Sequence, residues 1–485
     1  MHKILPIANV LGKLIVLFGT LFVFPLLVSY IADDGQAADF WVAMGVVLLI
    51  GGTLWICTHR YVRELKPRDG FMLVVLLWTG FAAVATVPLM LAIEGLSFTD
   101  AYFETMSALT TTGATVLSGL DHLPASINFW RHFLNWVGGM GIIVLAVAVL
   151  PLLGVGGMQL YKAETPGPIK DSKLTPRITE TAKNLWLIYA ALTLLCALAL
   201  KLAGMSWLDA VCHAFAALSL GGLSTHDASV GYFDSPLIEA ILIVFMLLAA
   251  MNFATHFVAW RERRIRAYWR DYEAMSMLVL IGISIVVLAV YLRYWGPYAY
   301  FPNALRHVAF NLVSIATDCG FVSMDYDRWP PFAPLWMLFL SCICASSGST
   351  GGGIKMIRTL ILSRQASREM LSLLHPAVVH PVKIGPAVIP NSVVSAVLGF
   401  IFVYFMSIAT LTFMLTASGM DFVSAFSAII ACINNAGPGL GQVGPAFNYQ
   451  SLGDVQTWIC TLAMLLGRLE VFTLLILFNP AFWRR

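Results

Sequence analysis

The chain has 485 residues, 59% of them hydrophobic and only 11% charged, with a mean hydropathy of +0.82. A soluble fold of this length needs far more polar surface, so the composition excludes the soluble globular classes and points to a helical membrane protein. The net charge of +3 says nothing about nucleic acid, because it is the remainder of a strongly sided distribution of basic residues.

A bilayer core about 30 Å thick takes roughly 20 apolar residues per helix. Ten segments reach that length, at about 5–31, 40–57, 70–93, 131–157, 184–204, 235–260, 273–295, 333–361, 391–418 and 455–482. Lys13 lies inside the first, which therefore reads as a true span and not as a cleavable signal peptide. Lys3 and Lys13 precede or begin the first segment, Arg484 and Arg485 end the chain, and the other Lys and Arg follow the second, fourth, sixth and eighth segments or mark their ends, apart from Arg131, Lys201, Arg293, Arg306, Arg328 and Arg468. That bias places both termini and the basic loops in the cytoplasm.

Four shorter apolar segments, at 98–112, 207–221, 305–319 and 422–436, lie on the side opposite the basic loops. Each ends in a glycine turn: Leu109-Thr-Thr-Thr-Gly113-Ala114, Leu218-Ser-Leu-Gly-Gly222-Leu223, Ala316-Thr-Asp-Cys-Gly320-Phe321 and Ile433-Asn-Asn-Ala-Gly437-Pro438. Aligning Gly113 with Gly222 puts Asp100-Ala101 on Asp209-Ala210 and Leu109 on Leu218 without a gap. The later copies agree less closely, although Phe103 still falls on Phe310 and Ser107 on Ser314. This is a parallel four-fold repeat of helix, re-entrant helix, helix. The predicted architecture is an all-α polytopic membrane protein of about ten transmembrane helices around a central pore. Its units are a two-helix extension at 1–67 and repeats at 68–178, 179–272, 273–385 and 386–485.

A helix that stops inside hydrocarbon leaves its last carbonyls without partners, which is tolerated only beside water or within protein. For any single copy an interfacial hairpin or outer loop remains the alternative. Four copies in register suggest a ring in which carbonyls replace the hydration shell of a cation. Gly113, Gly222, Gly320 and Gly437 supply backbone angles that a side chain resists. Thr111, Thr112, Leu220, Gly221, Asp318, Cys319, Asn435 and Ala436 would contribute the neighbouring carbonyls. The short helices would point their partially negative ends at the same place. Asp318 is the one carboxylate in a turn. It either holds the turn by hydrogen bonds or meets the ion.

Ser346, Ser347, Gly348, Ser349, Thr350, Gly351, Gly352 and Gly353 interrupt the eighth segment with poor helix formers. The run misses the phosphate-loop pattern, because Lys355 does not directly follow the last glycine and no Ser or Thr follows it. It reads as an unwound intramembrane gate or, alternatively, as a small-residue face for close helix packing. Lys355 and Arg358, just beyond it, could couple the gate to a cytoplasmic partner. Arg468 lies deep in the tenth segment, where a charge costs roughly 2.5–3.5 kcal/mol. It faces either the aqueous path near the gate or a buried salt-bridge partner on another helix. Glu470 is two residues on and points to a different helix face.

Asp100 and Asp209 sit in the first turns of short helices, as caps or, with Asp121, Asp227, Asp234 and Asp421, as a cation-concentrating mouth. His132, His213 and His256 read as satisfied core residues. The eight cysteines show no zinc spacing, and no disulfide is expected. No nucleophile–base constellation is evident, so the chain reads as no enzyme.

The four turns, the run Trp136-Val-Gly-Gly-Met-Gly-Ile142 and the pair Gly467-Arg468 resemble the Trk, Ktr and HKT superfamily of potassium transporters. The likeness is closest to the membrane subunit of its bacterial Trk branch and covers nearly the whole chain, including the two N-terminal spans. It implies a potassium-selective pore in each subunit of a homodimer in the bacterial inner membrane. It also implies a cytoplasmic regulatory ring of the TrkA kind that binds a nucleotide (ATP or NAD), with no cofactor in this chain. The glycine-rich interruption resembles the family's gate loop. One glycine is common to all four turns where a four-fold potassium channel carries two, so rubidium passage and some sodium leak are expected. Within the resemblance, serine at the first matched position accompanies sodium transport in the plant branch, so glycine there favours potassium. The alternative is a secondary symporter coupling potassium to protons or sodium, with Arg468 or Asp318 as its intramembrane ionisable group.

Overall fold

The computed structural model describes residues 4–63, 65–141 and 178–484. Lys3, Lys162, Lys170, Lys173, Arg177 and Arg485, and the second half of the expected 131–157 span, lie outside the described residues.

Six described helices are long and apolar enough to cross a bilayer: Leu5–Ala32, Ala37–Thr58, Arg68–Ala92, Ala182–Leu202, Tyr272–Trp295 and Asn391–Ala417. Their outward faces stay apolar, as with Ile283, Val286 and Val287 on one helix and Phe402, Phe405 and Phe413 on another. A water-soluble helix would put charges there; these faces suit lipid. Leu5–Thr20 packs along Ala37–Thr58 at very short range. A side chain on Gly51 would run into Ile15 and the Val16 backbone. That small-residue contact joins the first two helices into a hairpin.

The repeats follow. Each short helix, Phe98–Leu109, Trp207–Ser219, Phe301–Ala316 and Phe422–Ile433, spans 12 to 16 residues. At 1.5 Å per residue that is roughly 18–24 Å, too little to cross. Three begin on side-chain caps: Ser97 accepts from the Asp100 amide, Ser206 from that of Asp209, and Asp421 from that of Ser424. Asp100 and Asp209 therefore lie in capped first turns.

The helices that follow the turns depart from the sequence expectation. The sixth segment is broken between Pro236–Ala250 and Phe253–Glu262, which meet at a 97° bend. The tenth is broken between Asp454–Arg468 and Phe472–Phe478 at 106°. The eighth divides into Phe332–Ile343 and Met356–Leu374 around the glycine-rich stretch. The helix after the first turn, Ala125–Gly139, ends at the same level in its repeat. The third interruption carries the long glycine- and serine-rich stretch, and it is the one the sequence marks as unwound.

Backbone and carboxylate links tie the outer loops around the axis. The Gly119 amide donates to Asp227 (3.0 Å), Gly231 to the Val322 carbonyl (3.1 Å), Gly441 to Asp327 (3.0 Å) and Tyr449 to the Thr115 carbonyl (2.8 Å). These four bonds join repeats one to two, two to three, three to four and four back to one. All eight cysteines are unpaired. Among the described residues the strands are one small hairpin, Lys383–Ile384 against Ala387–Val388.

Gly51→Leu should overpack the N-terminal hairpin at a cost of roughly 1–3 kcal/mol. The expected result is a lower melting temperature in detergent with ion flux retained, measured by thermal-shift chromatography and liposome flux.

Candidate functional site

The four short helices end in one backbone motif. The amides of Thr112, Gly221, Cys319 and Ala436 donate to carbonyls five residues earlier, Ser107, Ala216, Ser314 and Ala431, at 2.8–2.9 Å. The amides of Thr111, Leu220, Asp318 and Asn435 donate to carbonyls three residues earlier, Ala108, Ala217, Ile315 and Cys432, at 3.1–3.3 Å. This is the Schellman cap, which requires a left-handed residue after the helix. Here it falls on Thr111, Leu220, Asp318 and Asn435, with φ between 54° and 64°. None is glycine, and each bears a strain of order 1–3 kcal/mol.

Two residues later the chain turns left-handed again at Gly113, Gly222, Gly320 and Gly437, with φ of 77°, 56°, 91° and 86°. A methyl on Gly113 would strike the Gly221 carbonyl oxygen, one on Gly222 that of Cys319, one on Gly320 that of Ala436, and one on Gly437 that of Thr112. All four clashes are closer than 3.0 Å. The turns therefore form a closed ring in chain order. Its inner members include the carbonyls of Thr112, Gly221, Cys319 and Ala436, each directly before a ring glycine. All the expected turn residues come together here. Asn435 adds a side-chain tie from the fourth turn to the first, donating to Thr112 Oγ1 at 2.9 Å.

The wholly buried Asp318 carboxylate faces Gly352 and Lys355 of the glycine-rich stretch, and neither oxygen has a hydrogen-bonding partner at normal distance. Its turn is held by the Asp318 amide instead.

On the basic side of the ring lies a cavity of about 650 Å³. It is lined by Gly139, Asn252, Gly348 and Gly467, one from each repeat, and it reaches from Asn435 to Arg270. The stretch from Ser346 to Lys355 is unwound, as expected, and lies against the ring. Thr350 Oγ1 donates to the Leu218 carbonyl at 3.1 Å, and a side chain on Gly352 would meet the Asn434 carbonyl. Close packing and unwinding thus occur together.

Glu273, missed in the sequence, holds both ends of this stretch. It accepts from the Ser347 amide (2.6 Å), the Ser347 hydroxyl (2.7 Å) and the Ile357 amide (3.0 Å). Arg468 lines the cavity and donates to Thr111 Oγ1 (3.3 Å) and to the carbonyls of Thr350 (3.2 Å), Gly138 (2.5 Å) and Gly139 (2.9 Å). It therefore spans turn one, the glycine stretch and the end of Ala125–Gly139. Lys355 and Arg358 turn inward, away from any cytoplasmic partner. The Lys355 ammonium donates to the Gly351 carbonyl, and Arg358 pairs with Glu470 at 2.7 Å while stacking on Phe400.

The outer carboxylates all have structural partners. Asp234 pairs with Arg306 (2.8 Å), and Asp121 lies 2.5 Å from His226, which also approaches Asp209 (3.3 Å). His213 and His256 have both ring nitrogens engaged, and His132 bonds to the Asn128 carbonyl. A second feature missed in the sequence is the buried ion pair of Glu104 and Arg131 behind turn one, at 2.7 Å. Its signal was Glu104, a carboxylate in the middle of an apolar short helix, one turn beyond the capping Asp100.

Four dead-ended helices meeting in a carbonyl ring, with apolar outer faces and a cavity on the basic side, define a polytopic membrane transporter. The model of the TrkH family, cation transport proteins, matches residues 37–485. The chain is 47% identical to the Trk system potassium uptake protein TrkH of Vibrio parahaemolyticus and 46% identical to that of Escherichia coli K12, with 99% of each chain covered in both cases. The crystal structure of the potassium transporter TrkH from Vibrio parahaemolyticus matches with a TM-score of 0.89 at 44% identity, over 99% of this chain and 100% of that one. The chain belongs to the TrkH family.

The Asp121 carboxyl is held below its ordinary value of 3.8, chiefly by its bond to His226. A depressed carboxyl stabilises the fold above its ordinary value and loses that contribution as pH falls through the folded value. The tie between Asp121 and His226 should hold at neutral pH and release only in strong acid. Asp121→Asn should flatten part of the loss of thermal stability below pH 4, measured by melting in detergent across a pH series.

Proposed function

We propose that this chain carries potassium, and with it rubidium, inward across the bacterial inner membrane through the ring of main-chain carbonyls. The observation that carries this is the closed contact of Gly113, Gly222, Gly320 and Gly437 with the carbonyls of Gly221, Cys319, Ala436 and Thr112. Oxygens without titratable protons, packed around one axis at the ends of four helix dipoles, suit a dehydrated monovalent cation. The names of the relatives support the same cargo. The binding set is Thr111, Thr112 and Gly113, Leu220 to Gly222, Asp318 to Gly320 and Asn435 to Gly437. The five units expected from the sequence are retained.

The stretch from Ser346 to Gly353 acts as the gate, and Arg468 locks it by holding the Thr350 carbonyl against the first turn. The positive charge of Arg468 on the cavity raises the barrier to a cation there. Control comes from a cytoplasmic nucleotide-binding ring of the TrkA kind on a homodimer. Because Lys355 and Arg358 face inward, that ring would act through the elements that hold the gate. The Glu273 helix, which follows the basic loop of residues 261–270, is the nearest such element.

The test is purified protein in liposomes under imposed potassium, rubidium or sodium gradients, with the pH gradient clamped. Potassium and rubidium should flow down their own gradients, with sodium well behind. Flux that stops without a proton or sodium gradient would instead establish symport. Deleting residues 346–353 should raise potassium flux severalfold. Unchanged or lost flux in a well-folded deletion protein would count against the gate.

A further inference from the structure

We infer that the ion pair of Glu104 and Arg131 is a specificity-determining positioning pair: it fixes the spacing of the first two ring turns and thereby sets discrimination between potassium and sodium. The inference rests on the filter reading above and adds to it which residues hold the ring to size. Glu104 and Arg131 are 0% and 1% exposed, and they bond to Thr115, Val116, Asn128, Ser224 and each other, behind the ring carbonyls. Glu104 lies on the first short helix. It accepts from the Val116 amide (3.1 Å) and the Thr115 hydroxyl (2.9 Å), so it grips the strand leaving the first turn. Arg131, on the following helix, donates to Glu104 (2.8 Å) and Asn128 (3.1 Å) and reaches the Ser224 carbonyl of the second repeat (3.5 Å). Thr115 and Ser224 each stand two residues beyond a ring glycine. One guanidinium therefore ties the exits of two adjacent turns together.

The same station, nine residues before the ring glycine, is occupied by Glu104, His213, Asn311 and Ala428 in turn. Neutral groups do the gripping elsewhere. His213 meets Ser224 Oγ (2.9 Å), Asn311 accepts from the Ser323 amide (3.1 Å), and Ser427 next to Ala428 accepts from the Leu440 amide (2.9 Å). Those clamps stay within their own repeats, whereas the charged one also crosses to its neighbour. A fully buried pair seldom returns its desolvation cost as stability. Its particular contribution is geometric, because a planar guanidinium with fixed donors locks the distance between the groups it joins. A ring held at one width cannot shrink onto the smaller sodium ion. A ring freed on one side can.

The test measures reversal potentials of the full-length protein in bilayers under bi-ionic potassium and sodium. Arg131→Lys keeps the charge but loses the fork. Thr115→Val keeps the shape but removes the hydroxyl that Glu104 and Arg131 both contact. Both should raise the sodium-to-potassium permeability ratio, by roughly tenfold for Arg131→Lys and less for Thr115→Val, as expected when a supporting contact to a selective site is loosened. Gly51→Leu, destabilised far from the ring, should keep the wild-type ratio, which separates positioning from a general loss of stability. Glu104→Gln should behave like Arg131→Lys if it folds; if it does not, the other two variants decide. Wild-type ratios in Arg131→Lys and Thr115→Val would overturn the inference. A wild-type protein that passes both ions equally would defeat the filter reading itself, and the role of the pair would fall with it.

Discussion

A helix that ends within an apolar slab must dispose of its terminal carbonyls, and the rest of this structure follows from how that is done. Each short helix closes with a Schellman cap, so two of its carbonyls are satisfied by its own chain. The left-handed residue of the cap and the left-handed glycine two positions later turn the strand toward the axis. The carbonyl between them is left facing its neighbour's glycine. Local backbone economy and the carbonyl ring are therefore one piece of geometry. Strain at Thr111, Leu220, Asp318 and Asn435 is tolerated because four such turns brace one another and the outer loops are bonded in a closed circuit.

The ring is four-fold in backbone and unequal in side chains. Turn one is supported by an ion pair, turn two by a histidine, turn three by an amide and turn four by a hydroxyl. Identical subunits cannot do this, whereas a single chain with four repeats can give each quarter its own support. The helices below show the same freedom. Among the described residues three of them are broken and the first ends at Gly139, but only the third carries the long glycine-rich stretch that lines the cavity. A carboxylate, Glu273, pins that stretch at both ends, and a guanidinium, Arg468, bonds it to the first turn. Charges at that depth are costly unless they meet polar backbone, and here they do.

Much of this was legible in the sequence because its causes are local or compositional. Apolar run length located the apolar helices, six of them long enough to cross, and the glycine at a fixed place after each short helix marked the turns that meet in the ring. The bends at Met251–Asn252 and Leu469–Val471 were not legible. They contain no glycine run, and their partners come from distant segments, as when the Phe253 amide bonds to the Gly348 carbonyl. Arg131 was grouped with the outer basic residues because nothing near it in the chain reveals that Glu104 lies opposite. Arg358 and Lys355 looked outward from their place beside a basic loop, yet they turn in to Glu470 and the Gly351 carbonyl.

By itself the sequence determined an all-helical membrane chain of four parallel repeats, and it located the turn of each. Hydrophobicity and the left-handed tolerance of glycine act over a few residues and need no partner to be read. Only the tertiary structure decided which carbonyl meets which glycine, which charges pair, and where the helices after the turns break. Those outcomes depend on groups a hundred or more residues apart being brought together, and in a low-dielectric interior each such meeting fixes whether a buried charge or an open carbonyl is tolerable at all.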